Sequence, residues 1–133
     1  MSNTRQTIEN YFAVMNGEGE GNFLDFLSDD IVWHLPPAHT FGSEFRGRDE
    51  VLQMLARGMP MFKEGSLKIT PHQITVEGDS AFAHFTMTGT TSQGKDYSNQ
   101  YIFRFRVSGG KITEIWESMD TQYMHSLGMY DGI

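Results

Sequence analysis

Cysteine is absent from the 133 residues, which excludes disulfides, thiolate catalysis and cysteine-ligated zinc. Long apolar runs are absent too. No window approaches the roughly 18 apolar residues a membrane-spanning helix needs, and no apolar h-region follows the polar N-terminus, so no signal peptide is visible. Positive charge is scarce: 10 Lys and Arg stand against 17 Asp and Glu, a net charge of −7. That balance argues against a phosphate-coating surface for nucleic acid or anionic lipid and says little about a neutral ligand. Histidine and carboxylate spacings for a metal, a Walker loop, a dinucleotide-binding glycine pattern and a nucleophile elbow are all missing. The glycines of GEGEG (17–21) join two predicted helices and read as a hinge. The expectation is a soluble, cytoplasmic single domain spanning 1–133, with no metal and no cofactor and without a nucleic-acid or membrane partner.

Aromatics and methionine are plentiful: 10 Phe, 5 Tyr, 2 Trp and 9 Met. Each aromatic brings roughly 150–250 Å² of buriable surface, more than a small core requires. Adaptable methionines suit either generous packing or a pocket wall. Ile8, Tyr11, Phe12 and Met15 fall on one helical stripe within 4–16, with Ser2, Thr4 and Thr7 as candidate caps and Asn16-Gly17 as the stop. Residues 22–28 predict a second short helix capped by Asn22 and broken by Asp29-Asp30. A strand at 31–35 ends at Pro36-Pro37, a loop covers 38–47, and 48–57 predict a third helix. Four long strands follow at 67–77, 81–91, 97–107 and 111–120, joined by turns rich in glycine. The tail, 121–133, carries Tyr123, Met124, Leu127, Met129 and Tyr130 and is able to close over something.

The order α-α-β-α-β-β-β-β predicts an α+β fold: a strongly curved antiparallel or mixed sheet wrapped over three N-terminal helices, a half-barrel with an interior. With this many aromatics, an apolar pocket between sheet and helices is expected.

Several stretches carry a resemblance to a known group. IENYFAVMNGEGEGNFLDFLSDDIVWHLP (8–36), FRGRDEV (45–51) and NQYIFRFRVSGGKITEIWESMDT (99–121) resemble the ketosteroid-isomerase and SnoaL-like polyketide-cyclase group of the nuclear-transport-factor-2-like superfamily. The resemblance covers nearly the whole chain. It is specific for fold and weak for reaction, because this fold hosts isomerases, cyclases, epoxide hydrolases and binders. It implies a cone-shaped cavity, open at one end, and a homodimer packed through the outer face of the sheet. The isomerase's oxyanion-donating tyrosine falls on Tyr11, which matches. Its general-base aspartate falls on Leu35 and its protonated oxyanion-hole aspartate on Tyr101, so ketosteroid isomerisation itself is not implied. In the cyclases the base lies further along the sheet, where Glu117 and Asp120 are the nearest acids.

Alternation tests these assignments. With Tyr101 facing inward, Asn99, Phe103 and Phe105 face inward too, and Arg104 and Arg106 face out. On the last strand Thr113, Ile115, Glu117 and Met119 share one face. A bulge near Ser118 would bring Asp120 in as well. An acid among Phe103, Phe105 and Met119 would be desolvated and suited to proton abstraction, whereas an outward one would pair with Arg104 or Lys111. For His84 two readings compete: the resemblance puts Phe82, His84, Thr86 and Thr88 inside, and the hydrophobic pattern puts Ala83, Phe85 and Met87 there. Trp33 and Leu35 go in together, leaving His34 outside. His39, in the loop after Pro37, reads as a solvated loop histidine.

Three functional readings follow. The first is an acid–base enzyme on a small, largely apolar, ring-containing molecule. Glu117 or Asp120 would move the proton with help from His84. Tyr11, Asn99 and Tyr101 would stabilise a developing oxyanion, and Trp33, Leu35, Phe103 and Met119 would form the binding wall. The second is a non-catalytic binder of an apolar ligand. The third is an association module that works through its sheet face and has no accessible cavity.

Overall fold

The computed structural model describes residues 3–133; Ser2, one of the candidate helix caps, lies outside the described residues. Helix α1 (Thr4–Met15) buries Ile8, Tyr11 and Phe12 as the spacing predicts. Its start is not capped by Thr4, whose hydroxyl instead donates to the Gly78 carbonyl at 2.9 Å. At the other end Asn16 both donates to the Ile69 carbonyl (2.7 Å) and accepts from the Ile69 amide (2.8 Å). A side-chain amide thus pairs like a short piece of strand and docks the helix end against the sheet.

The predicted second helix is a single 3-10 turn, Phe23–Phe26. Asn22 accepts from the Leu24 amide and Asp25 accepts from the Asn22 amide, each at 3.0 Å. The cap is as expected, but it supports one turn only. Leu27, expected on that helix, opens strand β1 (Leu27–His34), and Asp29 and Asp30 lie within the strand. The predicted loop contains a short strand, β2 (Glu44–Arg46). Helix α2 (Gly47–Gly58) then leads through a 3-10 turn (Met59–Met61) to β3 (Lys68–Glu77), β4 (Ser80–Thr90), β5 (Asp96–Ser108) and β6 (Lys111–Met119). The tail contributes a short helix, α3 (Thr121–Ser126).

The six strands form one curved, unclosed sheet in the order β2-β1-β6-β5-β4-β3. All pairs are antiparallel except β1 with β6, so the sheet is mixed. Gly109 (φ +58°) and Gly110 (φ +76°) make the β5–β6 hairpin, a turn that needs residues without a Cβ strain.

The phase of each strand fixes which side chains meet the helices. On β5, Tyr97, Asn99, Tyr101, Phe103, Phe105 and Val107 are buried in strict alternation. On β4, Ala81, Ala83 and Phe85 are buried while Phe82 is 50% exposed, so the hydrophobic pattern prevails over the resemblance. Rings from α1 pack on the sheet: Phe12 meets Phe85 at 5.1 Å and Phe105 at 6.0 Å, and Tyr11 meets Phe105 at 5.7 Å, all edge-on. Burying each such ring stabilises the fold by about 1.5–3 kcal/mol.

One irregularity matters for the site. Arg106 pairs with Glu114 and Val107 pairs with Ile112, so Thr113 is an extra residue on β6. This bulge lies at Thr113, and the register is regular through Ser118, where a bulge would have been needed to bring Asp120 inward. It removes Thr113 from the inner face and lets Ile112 and Ile115 both be buried.

Candidate active site

Next to these rings, between the sheet and the helices, lies a cavity of about 210 Å³, with Tyr11, Phe12 and Met15 of α1 forming part of its wall. Its wall is almost wholly apolar: Leu35, Met54, Phe62, Met87, Phe103 and Met119 are among the lining residues. A hollow lined by Trp33, Tyr101 and Phe103 speaks against an association module with a filled interior. No Lys, Arg or Asp lines it among the described residues. The polar exceptions are Glu117, the hydroxyls of Tyr11, Tyr101 and Tyr130, the Trp33 indole and His39.

Glu117 is the one carboxylate on this wall among the described residues. It sits opposite Phe103 across the β5–β6 ladder, on the same face as Ile115 and Met119. As a residue it is half-buried, and it also borders a second depression together with Pro36 and Pro37. Its carboxylate accepts one hydrogen bond, from the Trp33 indole N–H at 3.0 Å, and makes no ion pair among the described residues. Neither expected cation reaches it. Arg104 stacks over Trp116 at 4.3 Å, and the Lys111 ammonium donates to the Asp25 carbonyl. Desolvation therefore wins over the single donor and pushes the Glu117 carboxyl up to about 7.

The tyrosines respond to the same environment. Tyr11 is 2% exposed, and its hydroxyl makes no hydrogen bond among the described residues while having free space beside it. Burial first, and the Glu117 charge second, raise its pKa above the ordinary phenol value. Tyr101 is raised for the same leading reason. Both stay protonated at neutral pH and remain hydrogen-bond donors. Tyr101 shares a 2.5 Å contact with the Tyr97 hydroxyl, which itself accepts from Asn99 at 3.0 Å.

Three of the predicted site residues stand elsewhere. Asn99 is buried but absent from the cavity wall; its amide bridges Tyr97 and the Asp120 carbonyl (3.1 Å), tying β5 to the start of α3. Asp120 is exposed and caps α3, accepting from the Tyr123 amide at 2.9 Å. With the bulge at Thr113, nothing turns its carboxylate inward. His84 lies on the outer face, 2.9 Å from the Gln100 amide oxygen and beside His72. Its inward neighbours Ala83 and Phe85, both buried, set that phase. Trp33, Leu35, Tyr101, Phe103, Met119, Tyr11 and Glu117 do gather around one volume.

The residue that sequence reasoning missed is His39. It accepts a hydrogen bond from the Phe41 amide at Nδ1 (3.0 Å) and contacts the Tyr130 hydroxyl through Nε2 (2.8 Å). Its partner is 91 residues away, so no local signal reveals it. Burial, then His125 and Arg57, hold its pKa below the ordinary imidazole value. No group of three His, Asp or Glu side chains is assembled to hold a metal among the described residues.

A curved, unclosed sheet over helices, enclosing an apolar cavity with one carboxylate and several phenols, defines a class of small-molecule-pocket folds. The chain belongs to the SnoaL-like domain family, which residues 8–115 match. No curated protein matches it by sequence. Among solved structures it is similar to TerC, crystallised with polyporic acid (TM-score 0.81, 19% identity, covering 95% of this chain and 98% of that one). It is similar too to a nuclear-transport-factor-2-like protein of unknown function from Burkholderia pseudomallei (TM-score 0.80, 22% identity, 96% and 98%). A third similar structure, from Jannaschia sp. CCS1, carries the provisional name SnoaL-like polyketide cyclase (TM-score 0.76, 16% identity, 92% and 89%). At these identities the likeness is one of fold.

Proposed function

We propose that the protein is an acid–base enzyme that takes a small, largely apolar, ring-containing molecule into this cavity, where Glu117 moves a proton. The observation that carries the reading is Glu117 itself: a carboxyl in an apolar hollow, held near neutrality by burial. A general base works best with a pKa near the working pH. Tyr11, a buried residue whose hydroxyl borders the cavity space and has no hydrogen-bond partner among the described residues, is the donor for an oxygen on which negative charge develops. Membership in a family that includes polyketide cyclases supports a small organic substrate. The same proposal includes two copies packed through the outer sheet face, where Phe82 (50%) and Ile102 (51%) are exposed. Sedimentation of the purified chain tests that part.

The experiment for the chemistry needs no natural substrate. Acetophenone is a ring ketone with exchangeable methyl hydrogens. Incubated with the protein in heavy water, it gains deuterium if a base in the cavity removes those protons. Glu117 must be ionised to act, so the exchange rate rises with pH and levels off above about 7. Glu117→Gln lowers it at least about tenfold. An exchange rate indifferent to that substitution rejects the assignment. The competing reading, a binder without catalysis, is favoured by the leucine at position 35 and the tyrosine at 101, where the isomerase has acids. It gives ligand-dependent thermal stabilisation with no exchange and no product.

A further inference from the structure

The C-terminal tail and the loop after β1 meet in a directional chain of hydrogen bonds at the cavity wall. A backbone amide only donates, so the Phe41 N–H bonded to His39 Nδ1 at 3.0 Å fixes that nitrogen as the acceptor. The proton of the neutral imidazole then sits on Nε2, 2.8 Å from Tyr130 Oη. Nε2–H donates and Oη accepts. The Tyr130 proton is left to point elsewhere, and the acceptor it finds is the Met124 thioether at 3.4 Å. Sulfur is a weak acceptor for a hydroxyl. Tyr130 is only 6% exposed, and both it and Met124 line the cavity.

The surroundings hold this arrangement firmly. The Tyr130 ring packs edge-on against His39 (5.3 Å) and Phe41 (5.8 Å) and lies 4.4 Å from the His125 ring. Arg57 covers the Phe41 ring at 4.3 Å and donates to its carbonyl at 3.3 Å. The charged and titratable groups around His39, namely Arg57 and His125, both disfavour a second proton on it, as does burial. A neutral ring keeps Nδ1 an acceptor and the chain running one way.

A buried phenol whose oxygen is occupied and whose proton rests on a thioether is a donor awaiting a better acceptor. An oxygen of a bound molecule improves on sulfur and costs the protein no other hydrogen bond. Charge selects the kind of oxygen. No Lys or Arg lines the cavity among the described residues, and Glu117 shares it, so a carboxylate or phosphate would enter uncompensated.

We infer that Tyr130 donates its hydroxyl proton to an uncharged carbonyl oxygen of the bound molecule, with His39 as the positioning residue that aims it. This rests on the proposed occupation of the cavity by a small ring compound and sharpens it: the ligand is a neutral ring ketone, not an acid or a hydrocarbon. The donor is distinct from Tyr11 on α1, so the site offers hydrogen bonds from two elements.

The test is an equilibrium titration of the full chain by protein NMR with two probes of the same shape. Acetophenone carries a C=O where α-methylstyrene carries a C=CH2. The readout is the ratio of the hydrocarbon Kd to the ketone Kd. In Tyr130→Phe this ratio falls about fivefold to tenfold relative to the wild type, the worth of one net hydrogen bond, while the hydrocarbon Kd stays put and vouches for an intact cavity. His39→Phe, which keeps a ring but donates nothing, lowers the ratio by a smaller factor, and His39→Gln, which again offers an N–H, recovers part of it. A ratio unchanged in Tyr130→Phe, or one that falls only in Tyr11→Phe, overturns the inference and leaves the cavity reading standing. If neither probe binds the wild type, the cavity reading itself fails and takes the inference with it. The acetophenone exchange assay on Glu117→Gln reports separately on the base.

Discussion

Along β6 and just past its end an acid recurs every third residue, at Glu114, Glu117 and Asp120, and the two faces of the sheet treat them differently. Glu114 points outward. There His34, stacked on Trp116 at 5.0 Å, reaches its carboxylate at 2.6 Å. Glu117 points inward and finds an indole N–H and hydrocarbon. Asp120 points outward again and serves as a helix cap. An interval of three on a strand changes face at every step, so three acids that look alike in sequence receive three different tasks. Partners, more than residue type, decide whether a carboxylate is structural or poised for chemistry.

That contrast is sharpest in stability. Burial raises the Glu117 pKa from 4.5 to about 7, so the native state prefers the protonated form. The stability this confers is complete below about pH 4.5 and disappears as pH rises through about 7. Above that, the folded protein carries an ionised carboxylate with little compensation. Glu117→Gln is therefore expected to stabilise the protein by up to about 3.5 kcal/mol at alkaline pH, at about 1.4 kcal/mol per pKa unit, and by nothing measurable in acid. Denaturant melts across the pH range check this. A variant that is less stable than the wild type at every pH breaks the contrast.

Asp120 makes the next comparison. Removing the cap in Asp120→Ala costs about 0.5–2 kcal/mol, while Asp120→Asn keeps the cap and costs almost nothing. Deuterium exchange into acetophenone is unchanged in the asparagine variant. A loss of exchange there would move the proton-transfer role from Glu117 to Asp120.

Trp33→Phe tests the inner pair more gently. It deletes the one donor that favours the Glu117 carboxylate, so the inflection of the exchange rate moves upward by about 0.5–1 on the pH scale. An unmoved inflection would show that the indole contributes packing alone. The smallest effect belongs to the outer face. Glu114→Gln, which leaves an amide oxygen to meet His34 at this half-buried contact, costs under about 1 kcal/mol.

Much of this was legible beforehand, for identifiable reasons. The alternation Tyr97-Asn99-Tyr101-Phe103-Phe105 is unambiguous, because its odd positions are aromatic or amide and its even ones include Arg104 and Arg106. It places one wall of the cavity directly. The apolar pattern of β4 was readable in the same way, and it was the resemblance that misdirected His84. Two kinds of feature were hidden. Residues 22–28 mimic a helix, since Phe23, Leu24 and Leu27 share helical spacing; sheet pairing of Leu27 with Ile112 outbids it after one turn. Asn99 was correctly placed inside the fold, but its engagement by Tyr97 and the Asp120 carbonyl depends on the turn into α3. His39 and Tyr130 belong to segments separated by most of the chain, and only the closed tertiary structure joins them.

The extra residue at Thr113 has a consequence for how such proteins change over time. With Ile112 anchored in the interior, an uninterrupted strand would send Trp116 and Ser118 inward and Glu117 into solvent. A one-residue offset therefore selects which side chain the hollow receives. Insertion of a single residue between Thr113 and Trp116 would exchange an interior acid for an interior indole while the strand order stayed the same. Loss or gain of acid–base chemistry on this scaffold is thus open to a change of length as well as to a change of letter.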